Sequence, residues 1–227
     1  WYGFERMLIP RLPFMITVSS SIAKIYQKKY GIPVHTISNL PFYDFKQDVK
    51  SGLPVALPFK QKTLIYQGAV NKGRGLEEML EAMTHIDGVT LVIAGEGDLS
   101  PKIAAIINNR RLEEKVVQTG RLAPAALRVL TAHAHGGISL EKDLGLNYRY
   151  ALPNKLFDYI QAGIPVLTSR LPEMEELVNT WQIGLTIDSH QPGEIARKVK
   201  QLLFNNELRH RWQSNLALAA QTLCWEQ

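Results

Sequence analysis

The sequence predicts an α/β protein in which helices cover both faces of a doubly wound parallel sheet. From Thr63 onward, short runs rich in β-branched residues alternate with segments of helical period. The short runs are apolar almost throughout, which is typical of strands that are buried on both faces. Since ligands of such sheets bind at the carboxyl ends of the strands, the residues just after each strand are the candidates for function.

Six strands are predicted in this part of the chain. They are TLIYQG at 63–68, VTLVIAG at 89–95, KVVQTG at 115–120, GGISL at 136–140, IPVLTS at 164–169 and IGLTI at 183–187. Between the first two, apolar residues recur at the i, i+3, i+4, i+7 spacing of one helix face: Leu76, Met79, Leu80 and Met83. The later helices are LSPKIAAIINNRR, PAALRVLTAH, PNKLFDYIQA, EMEELVNT and PGEIARKVKQLLF.

The first 45 residues contain a separate set of α/β pieces. FMITVSS and PVHTISN are predicted strands, and SSIAKIYQKKYG between them is a helix that Ser19 or Ser20 caps and Gly31 ends. Two strands and one helix cannot enclose a core, so residues 1–45 are interpreted as the incomplete end of a preceding domain. Residues 46–58 carry two prolines and a glycine and predict a linker, and 59–227 predict a complete domain.

Composition narrows the class of protein. The 227 residues are 45% hydrophobic, and the Lys and Arg residues behind the net charge of +5 are spread along the chain, so no nucleic-acid partner is expected. A single cysteine excludes an intrachain disulfide framework and favours a cytoplasmic location. No apolar run approaches the ~20 residues that span a bilayer. Because the chain starts at Trp1, we expect it to be part of a longer protein.

The loop after the first strand, GAVNKGRGLEEML at 68–80, combines features of a phosphate site. Gly68 ends the strand, and the glycines of KGRG free the backbone before a helix begins. Lys72 and Arg74 add two cations beside that helix N-terminus. The spacing is not that of a P-loop, and a solvated basic turn fits the same residues.

Two further strand ends carry glycines. AGEGDLS at 94–100 has a GxG that includes Gly97, but Ser100 stands where the dinucleotide fingerprint needs a third glycine, so a tight turn is the simpler interpretation. TGRLAP at 119–124 has nothing reactive, and only its backbone groups could recognise a planar ring edge.

The fourth candidate is ALPNKLFDYIQAGIPVL at 151–167, where a proline suits the start of a helix and a glycine its end. Asn154, Lys155 and Leu156 then present free amides, where an anion gains roughly 0.3 to 1 kcal/mol from the helix dipole. Asp158 lies one turn deeper. An i, i+3 pair between Lys155 and Asp158, worth about 0.2 to 0.5 kcal/mol, is an alternative that needs no ligand.

Other catalytic devices are not expected. His133 and His135 would lie on different sides of a helix end without a carboxylate or cysteine motif nearby, so no metal site is predicted. No GxSxG elbow is present, so a serine hydrolase triad is not supported. The sequence identifies no catalytic residue.

Taken in order, these loops resemble the nucleotide-sugar-binding half of GT-B glycosyltransferases, specifically the retaining family 4, the glycosyl transferases group 1. The resemblance rests on YQG at 66–68, RGLEEMLEAM at 74–83, LVIAGEGDL at 91–99, VVQTGRL at 116–122 and PNKLFDYIQAGIPVL at 153–167. ITVSSSIAKIYQKKYGIPVHTISNLP is similar to the end of that family's N-terminal domain. The resemblance implies a Rossmann-like donor domain preceded by a remnant of the acceptor domain.

The resemblance also implies roles for individual residues. Those implied to hold the donor diphosphate are Gly68, Lys72, Arg74, Asn154, Lys155 and Leu156. Asp158 is implied to bind the ribose hydroxyls. The residues implied to lie near the donor sugar or base are Gly97, Gly120, Arg121, Leu122 and Glu141.

The sequence departs from the family pattern twice. Members commonly carry a sugar-contacting glutamate seven residues before the ribose-binding acid, whereas Tyr150 stands eight residues and Glu141 seventeen residues before Asp158. If Glu141 takes that role, the lengthened loop KDLGLNYRYALP intervenes. Ala69 replaces an arginine common after the first strand-end glycine, so the cations of KGRG would neutralise the phosphates.

The implied activity is transfer of a sugar, with retention, from a UDP- or GDP-linked donor to a glycan or lipid-linked acceptor, as in polysaccharide biosynthesis and without a cofactor or metal. The chain would be the donor-binding part, inactive alone, and the acceptor would bind in the N-terminal domain it lacks. The expected location is the cytoplasm, with peripheral contact at the inner face of the membrane permitted. A nucleotide-sugar epimerase of the same architecture and a non-catalytic nucleotide-sugar-binding subunit are the alternatives. The incomplete GxG fingerprint argues against a dehydrogenase.

Overall fold

The computed structural model describes residues 2–43, 52–57 and 61–226. Its N-terminal part consists of helix α1 (Tyr2–Leu8), a 3-10 turn (Ile9–Arg11), strand β1 (Met15–Thr17), helix α2 (Ser20–Tyr30) and strand β2 (Val34–Thr36). The two strands pair in parallel. Ser19 caps α2 by accepting a hydrogen bond from the Ile22 N–H, and Gly31 ends the helix, both as predicted.

A six-stranded parallel sheet forms the larger part of the structure. Its strands are β3 (Lys62–Gln67), β4 (Val89–Ala94), β5 (Val116–Gly120), β6 (Gly136–Ser139), β7 (Val166–Ser169) and β8 (Gly184–Ile187). They lie in the order β5-β4-β3-β6-β7-β8. The predicted doubly wound fold class is confirmed, and each strand begins and ends within two residues of its predicted bounds.

Helices connect the strands. They are α3 (Leu76–Met83), α4 (Ser100–Arg110), α5 (Pro124–His133), α6 (Leu146–Arg149), α7 (Asn154–Gln161), α8 (Pro172–Trp181), α9 (Pro192–Phe204) and α10 (Asn206–Thr222). The sequence did not predict α1, α6 or α10. Helix α10 was not predicted because its apolar stripe is weak. The buried residues among its 17 are Trp212, Leu216, Ala219 and Ala220.

Burial of Tyr159 fixes the position of α7 against the centre of the sheet. Its ring is fully buried. The hydroxyl accepts a hydrogen bond from the Gln67 N–H at 3.1 Å and lies 3.3 Å from the carbonyl oxygens of Ile65 and Ile138. Because Tyr159 bonds to both β3 and β6, the first turn of α7 is held where these two strands end.

The strand order creates a crevice at the carboxyl end of the sheet. From β3 the chain adds β4 and β5 on one side, and β6, β7 and β8 follow on the other. Connections that leave in opposite directions open a gap between the ends of β3 and β6, where ligands of such folds bind. Gly68 follows β3 and Glu141 follows β6.

The predicted division into domains stays a prediction. Most of the predicted linker, 46–58, lies outside the described residues, and its described part, 52–57, contains no helix or strand. The end of the chain contacts the N-terminal part, since the Trp225 N–H donates to the Pro41 carbonyl at 2.9 Å. Among the described helices, none has the length and apolar character that crossing a membrane requires.

Candidate functional site

A cavity of about 670 Å³ opens where the crevice is expected. The end of β3, Arg74, the start of α7 and the segment before α7 form much of its wall. Val18 and Ile22 of the N-terminal part and Leu127 of α5 add an apolar side. The cavity is therefore lined by both charged and apolar side chains.

The end of β3 is shaped by a close backbone approach. Gly95, after β4, has φ 151°, and a Cβ there would lie 1.9 Å from the Gly68 carbonyl oxygen. Any side chain at 95 would therefore displace the strand end. A Cβ at Gly97 would lie 2.5 Å from the Val70 carbonyl oxygen. The GxG motif thus packs β4 against the loop after β3.

Glu141 forms a buried charge cluster beneath the cavity. Its carboxylate is fully buried, accepts hydrogen bonds from Ser139 Oγ at 2.7 Å and Lys155 Nζ at 3.0 Å, and lies 3.5 Å from Arg74 Nη1. Burial raises the pKa of Glu141, but Lys155 and Ser139 outweigh it, so the pKa lies below its usual value. One carboxylate facing two cations leaves the cluster with a net positive charge.

Lys155 lies between this carboxylate and an aromatic ring. Its Nζ is 4.1 Å from the centre of the Tyr66 ring, a cation–π contact. Tyr66 is fully buried and its hydroxyl donates to the Ala69 carbonyl at 2.6 Å. Burial lowers the pKa of Lys155 and Glu141 opposes this shift. The ammonium is held rigidly in the cavity wall, facing Gly68, whose added Cβ would lie 3.7 Å from Lys155 Cε.

Asp158 also lines the cavity, and a side chain of β3 holds its carboxylate in place. Its Oδ2 accepts a hydrogen bond from Gln67 Nε2 at 2.6 Å, and Gln67 Oε1 accepts one from the Thr131 hydroxyl at 2.8 Å. Burial raises the pKa of Asp158 from 3.8 to about 6, against the opposing Gln67 bond. The alternative Lys155–Asp158 pair is wrong, because Lys155 pairs with Glu141 and Asp158 with Gln67.

The start of α7 differs from the prediction in one respect. Pro153 is extended at ψ 135° and precedes the helix, which begins at Asn154 and ends before Gly163. Asn154 and the Lys155 side chain line the cavity. The Leu156 N–H, predicted to be free, donates to the Pro153 carbonyl at 3.0 Å, and the Leu156 side chain is fully buried. The Leu156 amide is therefore not free, and its side chain packs in the core.

The structure brings only some of the predicted residues together. Gly68, Arg74, Asn154, Lys155 and Asp158 line the one cavity. The predicted residues outside its described lining are Lys72, Gly97, Gly120, Arg121, Leu122, Glu141 and Leu156. Lys72 and Arg121 are exposed, Leu122 packs against the core, and Glu141 is covered by its own partners. The donor contacts assigned to these residues stay predictions.

The two histidines have local partners. His133 Nδ1 lies 2.8 Å from the Val129 carbonyl oxygen, and His135 Nδ1 accepts a hydrogen bond from the Thr63 N–H at 3.1 Å. Within the described ranges, no group of three or more His, Cys, Asp or Glu side chains is arranged to hold a metal ion.

Sequence reasoning missed the residues that position the charged groups. Gln67 and Ser139 are polar side chains at the carboxyl ends of β3 and β6, and each hydrogen-bonds a carboxylate of the site. Buried polar groups require partners, so a polar residue at the carboxyl end of a buried strand was an available signal. Tyr66 offered no such signal, because an aromatic residue in a buried strand is ordinary.

A comparison with protein families shows the family of this chain. The family described as "Glycosyl transferases group 1" matches residues 54–217 of this chain. The chain belongs to that family. It is similar to a chitobiosyldiphosphodolichol beta-mannosyltransferase of Candida albicans, with 25% identity over 226 residues that cover 90% of this chain and 49% of the relative. The chain spans about half the length of this relative.

Two solved structures share the architecture. A sucrose-phosphate synthase of Thermosynechococcus elongatus superposes with a TM-score of 0.81 at 17% identity, over 99% of this chain and 57% of that one. HepE of Anabaena, solved with UDP and glucose, gives a TM-score of 0.79 at 14% identity, over 98% and 62%. At these identities the likeness establishes the fold, which is that of GT-B glycosyltransferases as expected.

Proposed function

We propose that this chain is the donor-binding part of a glycosyltransferase and that a nucleoside-diphosphate sugar, linked to UDP or GDP, occupies the cavity. The observation that carries the proposal is the arrangement of the cavity wall. Arg74 and Lys155 lie beside the end of β3, and Asp158, one helical turn along α7, accepts a hydrogen bond from β3. Membership of the group 1 family supports this choice.

The cationic part of the wall suits a diphosphate. Arg74 and Lys155 share the single carboxylate of Glu141, so positive charge remains for an anionic ligand. The first amides of α7 add their dipole. A leaving nucleoside diphosphate gains negative charge as the glycosidic bond breaks, so these cations stabilise the transition state more than the ground state. Glu141 then acts as a positioning residue for both cations.

The Asp158 carboxylate suits the ribose. An ionised carboxylate accepts hydrogen bonds and donates none, so it complements a vicinal pair of hydroxyls. The Gln67 amide, itself hydrogen-bonded by Thr131, orients the Asp158 carboxylate. Donor binding then favours the ionised form of Asp158, and affinity rises with pH through about 6.

We extend the proposal to the whole protein. It transfers the sugar with retention to a glycan or lipid-linked acceptor bound outside this part, in the cytoplasm or at the inner membrane face, in polysaccharide biosynthesis. The name of the Candida relative, a transferase acting on a diphosphodolichol-linked glycan, favours a lipid-linked acceptor. No cofactor, metal or nucleic-acid partner is part of the proposal.

The test uses the full-length protein with UDP- and GDP-sugars and a lipid-linked glycan acceptor. We expect a glycosylated acceptor whose new bond, read by proton NMR, keeps the donor's anomeric configuration. Release of free nucleotide and an epimerised sugar without acceptor would favour the epimerase. Donor binding without transfer to any acceptor would favour the non-catalytic subunit, and an inverted product would overturn retention.

A further inference from the structure

Glu173, at the start of α8, bonds to the N-terminal part of the structure. Its Oε1 accepts a hydrogen bond from the Ser21 N–H at 2.7 Å, and the Ser20 hydroxyl donates to the same oxygen at 3.5 Å. Ser21 and Glu173 are 152 residues apart in the sequence, and Glu173 is buried. One carboxylate oxygen therefore links α8 to the first turn of α2.

The Glu173 carboxylate lies between the N-terminal ends of two helices. Glu173 is the second residue of α8, and the N–H that it accepts belongs to the second residue of α2. The first N–H groups of a helix have no partner within it, and the helix dipole favours a negative charge there. Ser19 satisfies the Ile22 N–H of α2, and Glu173 satisfies that of Ser21. Removing the Glu173 carboxylate would leave the Ser21 N–H without this acceptor.

The same turn of α2 forms part of the cavity wall. Val18 lies just before the turn and Ile22 within it, and both line the cavity. Ser21, which Glu173 holds, is the neighbour of Ile22 in the chain. A displacement of this helix end would therefore move the wall that the N-terminal part contributes relative to the wall that the sheet contributes.

A different contact joins the N-terminal part to the end of the chain. The Trp225 N–H donates to the Pro41 carbonyl at 2.9 Å, and the Tyr43 N–H donates to the Glu226 carboxylate at 3.1 Å. Pro41 and Tyr43 come shortly before the predicted linker, so this contact lies near the covalent connection between the parts. A contact at one place leaves rotation about that place open. The Glu173 contact, next to the cavity, adds a second fixed point and so sets the orientation of α2.

We propose that Glu173 is a positioning residue for sugar transfer, which docks the N-terminal part onto the donor-binding part through the first turn of α2. The inference rests on the proposed function, in which the acceptor binds on the N-terminal side. Misplacement of reacting groups by about 1 Å can lower a rate about a hundredfold. Because Glu173 bonds to α2 and lies outside the described cavity lining, it acts on the rate of transfer and not on donor affinity.

Steady-state kinetics of the full-length protein, with a UDP- or GDP-sugar and a lipid-linked glycan acceptor, tests this role. For Glu173→Ala we expect kcat to fall about ten- to a hundredfold, while calorimetry shows an affinity for UDP or GDP within about threefold of the wild type. Glu173→Gln keeps an oxygen that accepts the Ser21 N–H and should restore kcat to within about threefold of the wild type. Glu176→Ala, which removes an exposed glutamate of the same helix, is the matched control and changes neither quantity.

Ser21→Pro tests the same hydrogen bond from the other side. Proline lacks the N–H but is tolerated in the first turn of a helix, and Glu173 stays in place. We expect the loss of kcat seen in Glu173→Ala, and no further loss in the double variant. Amide hydrogen exchange should be faster in the first turn of α2 in both variants and unchanged in the strands of the sheet, which shows that the variants fold.

Several results would overturn the positioning role. They are a wild-type kcat in Glu173→Ala, unchanged exchange in α2, a Glu173→Gln variant as slow as Glu173→Ala, and a loss of nucleotide affinity as large as the loss of kcat. A wild-type protein that binds no nucleotide and transfers no sugar would overturn the proposed function and with it the role in transfer. The exchange of α2 would then separately confirm or refute the docking contact.

Discussion

The Lys155 ammonium donates a hydrogen bond to the Glu141 carboxylate at 3.0 Å, and that carboxylate is completely buried. Lys155 also faces the Tyr66 ring and Gly68, at the proposed diphosphate position. A buried charge without a partner is strongly unfavourable. The Lys155–Glu141 pair therefore contributes to the stability of the domain and also fixes the position of the Lys155 ammonium.

Glu141→Gln tests the positioning role. Removing the carboxylate leaves Lys155 and Arg74 without their shared partner, and we expect the free energy of unfolding to fall by about 3 kcal/mol in urea titrations. Glu78→Gln, which breaks a pair with the partly exposed Lys142, is the control and costs less than about 1 kcal/mol. Because both cations remain, UDP or GDP still binds to Glu141→Gln. Complete loss of binding in a folded variant would mean that Glu141 contacts the ligand.

Lys155→Met and Lys72→Met compare the two lysines of the predicted diphosphate site. Lys155 lines the cavity, whereas Lys72 is exposed. Losing a hydrogen bond between charged groups costs about 1.5 to 3 kcal/mol, so we expect Lys155→Met to weaken UDP or GDP roughly ten- to a hundredfold. Lys72→Met should change affinity less than about threefold. The affinities are measured by calorimetry. A larger loss for Lys72→Met than for Lys155→Met would instead assign the diphosphate to the KGRG turn.

Asp158→Asn should make the unliganded domain more stable at neutral pH. Burial raises the pKa of Asp158 from 3.8 to about 6, so the folded state prefers the protonated form. The associated stability is present below pH 3.8 and is lost as pH rises through 6. Allowing for partial exposure, ionised Asp158 costs about 1 to 2 kcal/mol at pH 7.5. In urea unfolding, the variant should be more stable than the wild type by that amount at pH 7.5 and level with it near pH 4; equal stability at both would refute the shift.

His135 gives the opposite pH dependence. Its pKa is lowered from 6.5 to about 4, first by burial and then by Lys62 and Arg209. The associated stability is present above pH 6.5 and is lost as pH falls toward 4. His135→Asn keeps an acceptor for the Thr63 N–H but does not titrate. We measure the free energy of unfolding of Asp158→Asn with and without His135→Asn. The His135→Asn substitution should remove most of the fall in this free energy that Asp158→Asn shows between pH 6.5 and 4. An unaltered pH profile would assign that loss to other groups.

Much of the fold could be predicted because each strand of the sheet is a short, local, apolar run. The same local signals placed Gly68 and Arg74 in the loop after β3 and placed Lys155 and Asp158 in the first turns of a helix. The strand order then brought them to one cavity. Pairings between distant residues could not be read in this way. The i, i+3 spacing allowed Lys155 to pair with Asp158, but the fold gives Lys155 a partner fourteen residues upstream and Asp158 one on β3.

Other details depended on backbone geometry that side-chain types do not reveal. The Leu156 amide, counted as free, is used in the turn that follows Pro153. The segment at 142–150 carries no apolar period, yet its ion pair and its contact with Gly73 order it beside the cavity.

The most direct test of donor binding is calorimetric titration of UDP, GDP and NAD into this chain and its Asp158→Ala variant at pH 7.5. We predict that UDP or GDP binds and that the variant loses more than about 1 kcal/mol of binding free energy, as for a lost charge-assisted hydrogen-bond pair. Binding of NAD without either nucleoside diphosphate, or an affinity that Asp158→Ala leaves unchanged, would contradict the assignment.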